Sequence, residues 1–261
     1  SSAASDVYKR QRKSMTTDRI MDSNDQERER GITILAKNTA ITWKEHRINI
    51  VDTPGHADFG GEVERVLSMV DSVLLLVDAV DGPMPQTRFV TQKAFEQGLN
   101  PILVINKVDR PEARPHWVLD QVFELFDNLG ATDEQLDFDV IYASSINGLA
   151  GHEPDELADD MTPLLDMIIE KVTAPDVDQD APLRMQISAL DSNSYVGVIG
   201  IGRITGGSIK PNDRVVVVNK AGEERKAKVL QVLGHHGLER VETNEAMAGD
   251  IVCITGIEAL N

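Results

Sequence analysis

The sequence predicts a doubly wound α/β domain with a mostly parallel sheet, followed by a small antiparallel β-barrel. Up to about residue 175, short runs of Val, Ile and Leu alternate with segments of helical periodicity, which is typical of a parallel sheet covered by helices. From residue 183 onward, strand-like runs follow one another across glycine-containing turns, and no pattern of helix length intervenes. Closely spaced strands of this kind are typical of a small barrel.

The elements of the α/β domain follow from their periodicity. Mainly apolar runs indicate buried strands at residues 48–51, 73–77, 102–105 and 140–143. Helical spacing of apolar residues predicts helices over 59–70, 86–97, 117–129 and 161–172. A further strand over 38–43 is expected to run antiparallel beside 48–51, because the connection between them is too short for a parallel crossover.

The barrel strands are expected at residues 183–189, 196–204, 214–218, 225–233 and 250–254. The glycines at 200, 202 and 206 lack the spacing of a dinucleotide-binding loop and lead into a turn, so we interpret them as part of a close-packed strand. The pair at 235–236 offers two histidines without a third metal ligand in view, and we expect these histidines to be structural or exposed.

The composition excludes several classes of protein. The 26 basic and 43 acidic residues give a net charge of −17, so the surface as a whole is not that of a general nucleic-acid binder. The single cysteine, Cys253, excludes an internal disulfide framework and a cysteine-rich metal site. No apolar run reaches the ~18 residues of a membrane helix, and the N-terminal residues lack the apolar core of a secretory signal. We therefore expect a cytoplasmic protein without membrane contact.

Polar segments follow the predicted strands at the edge where open α/β sheets bind their ligands. The run 48–51 leads into DTPGH at 52–56, the run 102–105 into NKVD at 106–109, and the run 140–143 into SSI at 144–146. The sequence RGITI lies upstream at 30–34. Each segment is weak by itself, but together and in this order they are typical of a guanine-nucleotide-binding domain. We expect Asp52, Asn106, Asp109 and Ser144 to converge on one crevice shaped for a purine.

The residue types suit the recognition of guanine. The carboxylate of Asp109 can accept hydrogen bonds from the N1–H and the exocyclic amine of guanine, and adenine offers no such pair of donors. The Asn106 side chain can anchor the loop and reach the edge of the base, and the aliphatic stem of Lys107 can cover its face. Main-chain N–H groups around Ser144 and Ser145 can donate to the guanine O6.

Simpler interpretations remain open for the individual residues. Asp52 can be a helix N-cap, and the segment from Asp109 can be a plain turn. His56 can be an exposed loop histidine, and Thr33 can be a β-forming residue within a strand. An unrelated nucleotide-binding α/β protein is a further alternative.

Longer segments carry a resemblance to a known family. The motifs at 30–33 and 52–56 resemble those of the translational GTPases, the group of elongation factors Tu and G. The segments MDSND (21–25), DFGGEVER (58–65) and DGPMPQTR (81–88) narrow the resemblance to the BipA/TypA GTPases, over roughly residues 19–261. The resemblance implies an enzyme that hydrolyses GTP to GDP on the 70S ribosome, contacts ribosomal RNA, and acts in ribosome assembly and stress response.

The resemblance also implies roles for residues around the phosphates. Asp52 would hold Mg²⁺ through water, Thr33 would ligate Mg²⁺ and sense the γ-phosphate, and Gly55 would donate its N–H to that phosphate. His56 would be the catalytic residue that orients the attacking water. The expected nucleotide-binding residues are therefore Asp52, Gly55, Asn106, Lys107, Asp109, Ser144, Ser145 and Ile146, with Mg²⁺ as the cofactor.

The expected domain organisation is a tail outside the family pattern (1–14), a GTP-binding domain (15–175) and the translation-factor β-barrel domain II (181–261). The glycine-rich phosphate loop GxxxxGK[ST] is not found, so we expect a GTP-binding domain truncated at its N-terminus and lacking its first strand, and a chain that is inactive by itself. We also expect that 1–14 does not pair between 48–51 and 73–77, that the family's C-terminal domains are absent, and that the chain is a monomer. The alternative function is a nucleotide-binding-deficient module that only interacts with the ribosome.

Overall fold

The structure is a computed structural model that describes residues 36–53, 60–193 and 196–257. The described residues divide into two compact units. Residue 36 and the described residues between 53 and 174 form the first unit. The second unit contains two strands, β1 (Lys37–Trp43) and β2 (His46–Asp52), together with the described residues from 175 onward.

The first unit is built on a 4-stranded sheet. Its strands, in their order across the sheet, are β3 (Val73–Asp78), β4 (Pro101–Asn106), β5 (Asp139–Ser144) and β6 (Leu149–Gly151). The first three are parallel, and β6 runs antiparallel to β5. The predicted strands at 73–77, 102–105 and 140–143 are confirmed, whereas β6 is too short to produce a readable pattern.

Helices cover this sheet where the sequence predicts them. They are α1 (Gly60–Leu67), α2 (Pro85–Glu96), α3 (Pro115–Asn128), α4 (Asp133–Leu136) and α5 (Thr162–Lys171). Proline lies in the first turn of α2, α3 and α5, where its missing N–H costs no hydrogen bond. The short helix α4 was not predicted; it begins with a capping box between Thr132 and Gln135.

Strand β4 is buried on both faces, as its continuous apolar sequence predicts. Leu103 and Ile105 pack in one core with α3, including the fully buried Phe126. Ile102 and Val104 pack in a second core with β5 and with Met167 of α5. Because successive side chains of a strand point to opposite faces, one register of β4 serves both cores.

Strand β3 differs from the prediction of burial on both faces. Among the described residues β3 pairs with β4 alone, so it forms an edge of the described sheet. Leu74 and Leu76 are 37% and 58% exposed, because no described element covers that face, whereas Leu75 and Val77 lie in the core beside α3.

The described residues do not place 48–51 in the parallel sheet. Strand β2 pairs antiparallel with β1 from Lys37↔Asp52 to Trp43↔His46, and it has no partner among β3–β6. The predicted antiparallel pairing is confirmed. The hairpin joins the second unit instead, through hydrogen bonds between Ala40 and Gly237 in both directions and from the Arg47 guanidinium to the His235 carbonyl. No residue of β2 is fully buried, which fits a hairpin strand better than a central strand of a parallel sheet.

The second unit is an antiparallel β domain. Besides the hairpin, its strands are β7 (Arg184–Asn193), β8 (Gly197–Gly206), β9 (Ser208–Ile209), β10 (Arg214–Val218), β11 (Glu224–Lys228), β12 (Val232–His236), β13 (Glu239–Glu242), β14 (Ala246–Met247) and β15 (Ile251–Thr255). A 5-stranded sheet has the order β13-β12-β15-β8-β7, and β10 pairs with β11 and β9 with β14 in small sheets. The antiparallel β domain is confirmed, and closure into a barrel stays a prediction.

In this unit one predicted strand is divided in two, and the glycine-containing strand is as predicted. The single strand predicted over 225–233 is divided into β11 and β12, because the N–H groups of Val229 and Leu230 donate to Asp213 and Thr255 rather than continuing one ladder. The glycines of the GIG sequence lie within β8, as predicted for a close-packed strand.

None of the helices in the described ranges has the length and apolarity to cross a membrane. The prediction about pairing by residues 1–14 lies outside the described residues.

At Gly202 the backbones of β8 and β7 lie close together. A Cβ atom there would lie 1.9 Å from the carbonyl oxygen of Gln186. We predict that Gly202→Ala lowers the free energy of unfolding by about 1–3 kcal/mol, since the backbone of β7 must shift. Gly234→Ala in β12 is the matched control, because its Cβ would meet only the Arg47 guanidinium at 3.5 Å. Urea unfolding measures both variants, and equal stabilities would contradict the close approach.

Candidate functional site

The strand ends of the first unit bring the predicted base-binding residues together. The parallel registers pair Asp78 with Asn106 and Asn106 with Ala143, so β3, β4 and β5 end side by side at one edge. The three loops that follow these strands therefore begin within hydrogen-bonding reach of one another. This is the edge at which open α/β sheets bind their ligands.

Asn106 ties the loop after β5 to the end of β4. Its side-chain oxygen accepts hydrogen bonds from the backbone N–H of Ser145 at 3.0 Å and from the Ser145 hydroxyl at 2.9 Å. The fully buried Ser144 receives a hydrogen bond on its hydroxyl from the Asn147 amide at 2.8 Å. The loop is thus held at its first residues, while the Ile146 side chain is 76% exposed at its tip.

The bond from Ser145 to Asn106 bears on one predicted contact. We predicted that N–H groups around Ser144 and Ser145 donate to the guanine O6. Since the Ser145 N–H donates to Asn106 in the structure, a contact with the base requires that this hydrogen bond be shared or exchanged. The role of Ser145 toward the base stays a prediction.

Asp109 offers an exposed carboxylate next to these anchored loops. A turn closed by the Arg110 N–H and the Lys107 carbonyl, 3.2 Å apart, carries it away from the end of β4. Within the part of the chain that the structure describes, the Asp109 carboxylate accepts no hydrogen bond and forms no ion pair. It is therefore a charged acceptor with both oxygens available to a ligand that carries two adjacent donors.

Lys107 has a backbone conformation that is uncommon for its residue type. Its φ of +67° lies in the left-handed region, which costs energy for a residue with a Cβ and is typical of sites where tertiary contacts hold the chain. Its ammonium group lies 2.5 Å from the carboxylate of Asp78, at the end of the neighbouring strand. The side chain of Lys107 is thus directed along the edge formed by β3 and β4.

Asp78 was not among the predicted site residues. Burial raises the pKa of its carboxyl group. Hydrogen bonds from the Lys107 ammonium and from the Val80 N–H lower the pKa by more than burial raises it, so the net pKa lies below the ordinary value of 3.8. Asp78 is therefore ionised at neutral pH. A usable signal existed, since Asp78 follows the predicted strand 73–77 just as Asn106 follows 102–105.

The remaining predicted residues lie outside the described part of the first unit. Asp52 is half-buried at the end of β2 in the second unit, and its convergence with Asn106, Asp109 and Ser144 stays a prediction. Thr33, Gly55 and His56 lie outside the described residues. The described residues contain no cluster of three or more His, Cys, Asp or Glu side chains that could bind a metal ion.

Comparison with known families and relatives agrees with this arrangement. The family described as the elongation factor Tu GTP-binding domain matches residues 2–174, and the family described as elongation factor Tu domain 2 matches residues 197–261.

Several bacterial proteins named large ribosomal subunit assembly factor BipA are close relatives. The protein of Escherichia coli (strain K12) is 70% identical over 246 residues, which is 94% of this chain and 40% of the relative. Those of Haemophilus influenzae and Buchnera aphidicola are 70% and 62% identical over 244 residues each, again 94% of this chain and 40% of the relatives. The chain thus spans about 40% of the length of these curated relatives.

A crystal structure of the bacterial selenocysteine-specific elongation factor EF-Sec has a similar fold, with a TM-score of 0.70 and 22% sequence identity over 92% of this chain and 38% of that one. The family match spans the anchored loops at the ends of β4 and β5 and most of the chain. The chain therefore belongs to the family of the elongation factor Tu GTP-binding domain, the translational GTPases.

Proposed function

We propose that this chain carries the guanine-nucleotide-binding part of a ribosome-associated GTPase of BipA/TypA type, which converts GTP and water to GDP and phosphate. The observation that carries the proposal is the pair of hydrogen bonds from Ser145 to Asn106 beside the available carboxylate of Asp109. The identity to relatives named as ribosome assembly factors supports the ribosome as the partner.

The base site works through the fixed positions of its anchors. Asn106 holds the loop after β5 against the end of β4, so the first residues of that loop are in place before the ligand arrives. The base then contacts the two carboxylate oxygens of Asp109 on one side and the backbone of the loop after β5 on the other. Preorganisation of this kind avoids part of the entropy cost of ordering loops on binding.

Guanine is selected because it satisfies the Asp109 carboxylate. Its N1–H and exocyclic amine can donate one hydrogen bond to each carboxylate oxygen, and hydrogen bonds to a charged group contribute roughly 1.5–3 kcal/mol each. Adenine leaves the carboxylate without donors and desolvated, which is the kind of mismatch that a polar site rejects most strongly. The Lys107 stem supplies apolar contact with the face of the ring.

The phosphate end of the proposed site depends on residues outside the described ranges and on Asp52. Thr33 and Gly55 would contact the γ-phosphate, and His56 would orient the attacking water. Thr33 and Asp52 would hold Mg²⁺, Asp52 through water. One carboxylate and one hydroxyl suit this ion, because Mg²⁺ is usually bound by one or two carboxylates, by phosphates and by retained waters. When bound, Mg²⁺ neutralises charge on the phosphate oxygens.

The wider assignments are part of the same proposal. Action in ribosome assembly is proposed from the names of the relatives. Contact with ribosomal RNA, action in stress response, a cytoplasmic location and a monomeric state are proposed from the sequence analysis. A chain that binds ribosomes but shows no guanine-specific binding would instead be the interaction module described as the alternative function.

Asp109→Asn tests base selection directly. We predict that the preference shifts from guanosine to xanthosine nucleotides, because the asparagine amide that replaces the carboxylate can donate to the xanthine C2 oxygen. The loss of GDP affinity should be on the order of 100-fold. The change in preference is measured by a competition titration of GDP against XDP up to millimolar concentration, with amide chemical shifts as the readout.

Glu112→Gln is the matched control for Asp109→Asn, since it removes an exposed negative charge from the same loop. It should leave the ratio of GDP to XDP affinity unchanged. An unaltered ratio in Asp109→Asn would refute the guanine assignment.

Asn106→Ala tests the anchored loop. Loss of the side-chain oxygen leaves the Ser145 N–H without its acceptor, so hydrogen exchange of this amide should accelerate and GDP affinity should fall about tenfold, the equivalent of one hydrogen bond. Asn147→Ala is the comparison, because it removes only the bond to the Ser144 hydroxyl. Unchanged exchange at Ser145 in the Asn106 variant would contradict the proposed anchor.

A further inference from the structure

The carboxylate of Asp78 is held at a fixed place on the edge of the sheet. One of its oxygens accepts hydrogen bonds from the backbone N–H of Val80 at 2.8 Å and of Asp81 at 3.4 Å. The Gly82 N–H donates to the Asp78 carbonyl at 2.9 Å and closes the turn, with Gly82 at a φ of +72°. A Cβ at Gly82 would lie 3.1 Å from the Trp117 ring, which explains the glycine at this position.

Arg114 braces the same turn from the start of α3. Its backbone N–H donates to the Ala79 carbonyl at 2.8 Å, and its guanidinium donates to the Val80 carbonyl at 2.9 Å while lying 4.0 Å from the Trp117 ring centroid. The Ala79 N–H in turn donates to the Asn106 carbonyl at 2.8 Å. The turn after β3 is therefore joined to the end of β4 and to α3.

The second oxygen of Asp78 contacts the Lys107 ammonium at 2.5 Å. The Asp78 side chain is only 15% exposed, whereas that of Lys107 is 44% exposed. A lysine stem has four rotatable bonds and adopts many conformations in solution, so a fixed and largely buried carboxylate selects among them. The ion pair differs from an ordinary surface pair because one of its partners is already immobilised.

We propose that Asp78 is a positioning residue for guanine binding, which holds the Lys107 ammonium so that the lysine stem is preordered beside Asn106 to cover the face of the base. This inference rests on the proposed function, because it assumes that the base binds between Lys107 and Asp109. Asp78 acts through Lys107 and has no contact of its own with the nucleotide.

Asp78→Asn separates the two duties of the carboxylate. The amide oxygen of asparagine can still accept from the Val80 N–H, but the amide nitrogen cannot accept from the Lys107 ammonium. We predict that GDP affinity, measured by amide shift titration of the whole chain, falls on the order of fivefold. Asp81→Asn is the matched control, since it removes a charge from the same turn without touching Lys107, and its affinity should equal that of the unsubstituted chain.

The double variant decides between positioning and a merely structural role. In a Lys107→Met background, which keeps an apolar stem without the ammonium, Asp78→Asn should cause no further loss of GDP affinity. A loss of equal size in both backgrounds would overturn the proposal, because Asp78 would then act through its turn alone. No loss in the single variant would overturn it as well.

A second measurement needs no nucleotide. Urea unfolding of the two single variants and the double variant gives the coupling between Asp78 and Lys107, and we expect the double variant to be more stable than the sum of the single losses implies. Zero coupling would show that the ion pair does not order the lysine.

A failure of Asp109→Asn to alter base preference would refute the base site, whereas a failure of coupling between Asp78 and Lys107 would refute only the positioning role.

Discussion

The parallel register of β4 with β3 and β5 is the constraint on which the rest of the site depends. The same register that buries Leu103 and Ile105 against α3 aligns Asn106 with Asp78 on one side and with Ala143 on the other. A shift by one residue would turn the apolar side chains of β4 to the wrong faces, so the packing of two cores protects the alignment of the polar strand ends. Stability and site geometry are thus set by the same pairing.

Polar contacts carry this alignment from the strands into the loops. At the end of β4, Asn106 accepts a hydrogen bond from the N–H of Ser145 in the loop after β5. At the end of β3, Asp78 accepts one from the ammonium of Lys107 in the loop after β4. The loops keep their exposed tips, at Asp109 and Ile146, while their first residues are fixed to a rigid sheet. This division is common at binding sites, because recognition needs reachable groups whose positions do not vary.

The sequence predicts what depends on local pattern and on strand order. The continuous apolar run at 102–105 predicts β4, and the motif that follows it predicts that the Asn106 side chain anchors a loop; the structure shows that its partner is Ser145. The long-range partners of a strand do not follow from its local pattern. Residues 48–51 contain three branched apolar residues, as a buried strand does, but their hydrogen bonds go to β1 and their hairpin attaches to Gly237. The break at 229–231 likewise depends on carbonyl groups of Asp213 and Thr255, which are distant in sequence. Asp78 was missed because it belongs to none of the recognised motifs, although its place at a strand end is the same kind of signal.

The most direct test of the proposed base site maps where a purine binds. Backbone amide shifts of the chain would be recorded during titration with GDP and, separately, with ADP at equal concentrations. GDP should cause shifts that centre on residues 106–109 and 144–146, and ADP should cause at most small, dispersed shifts. Equal shifts with both nucleotides, or GDP shifts that centre away from the ends of β4 and β5, would contradict it.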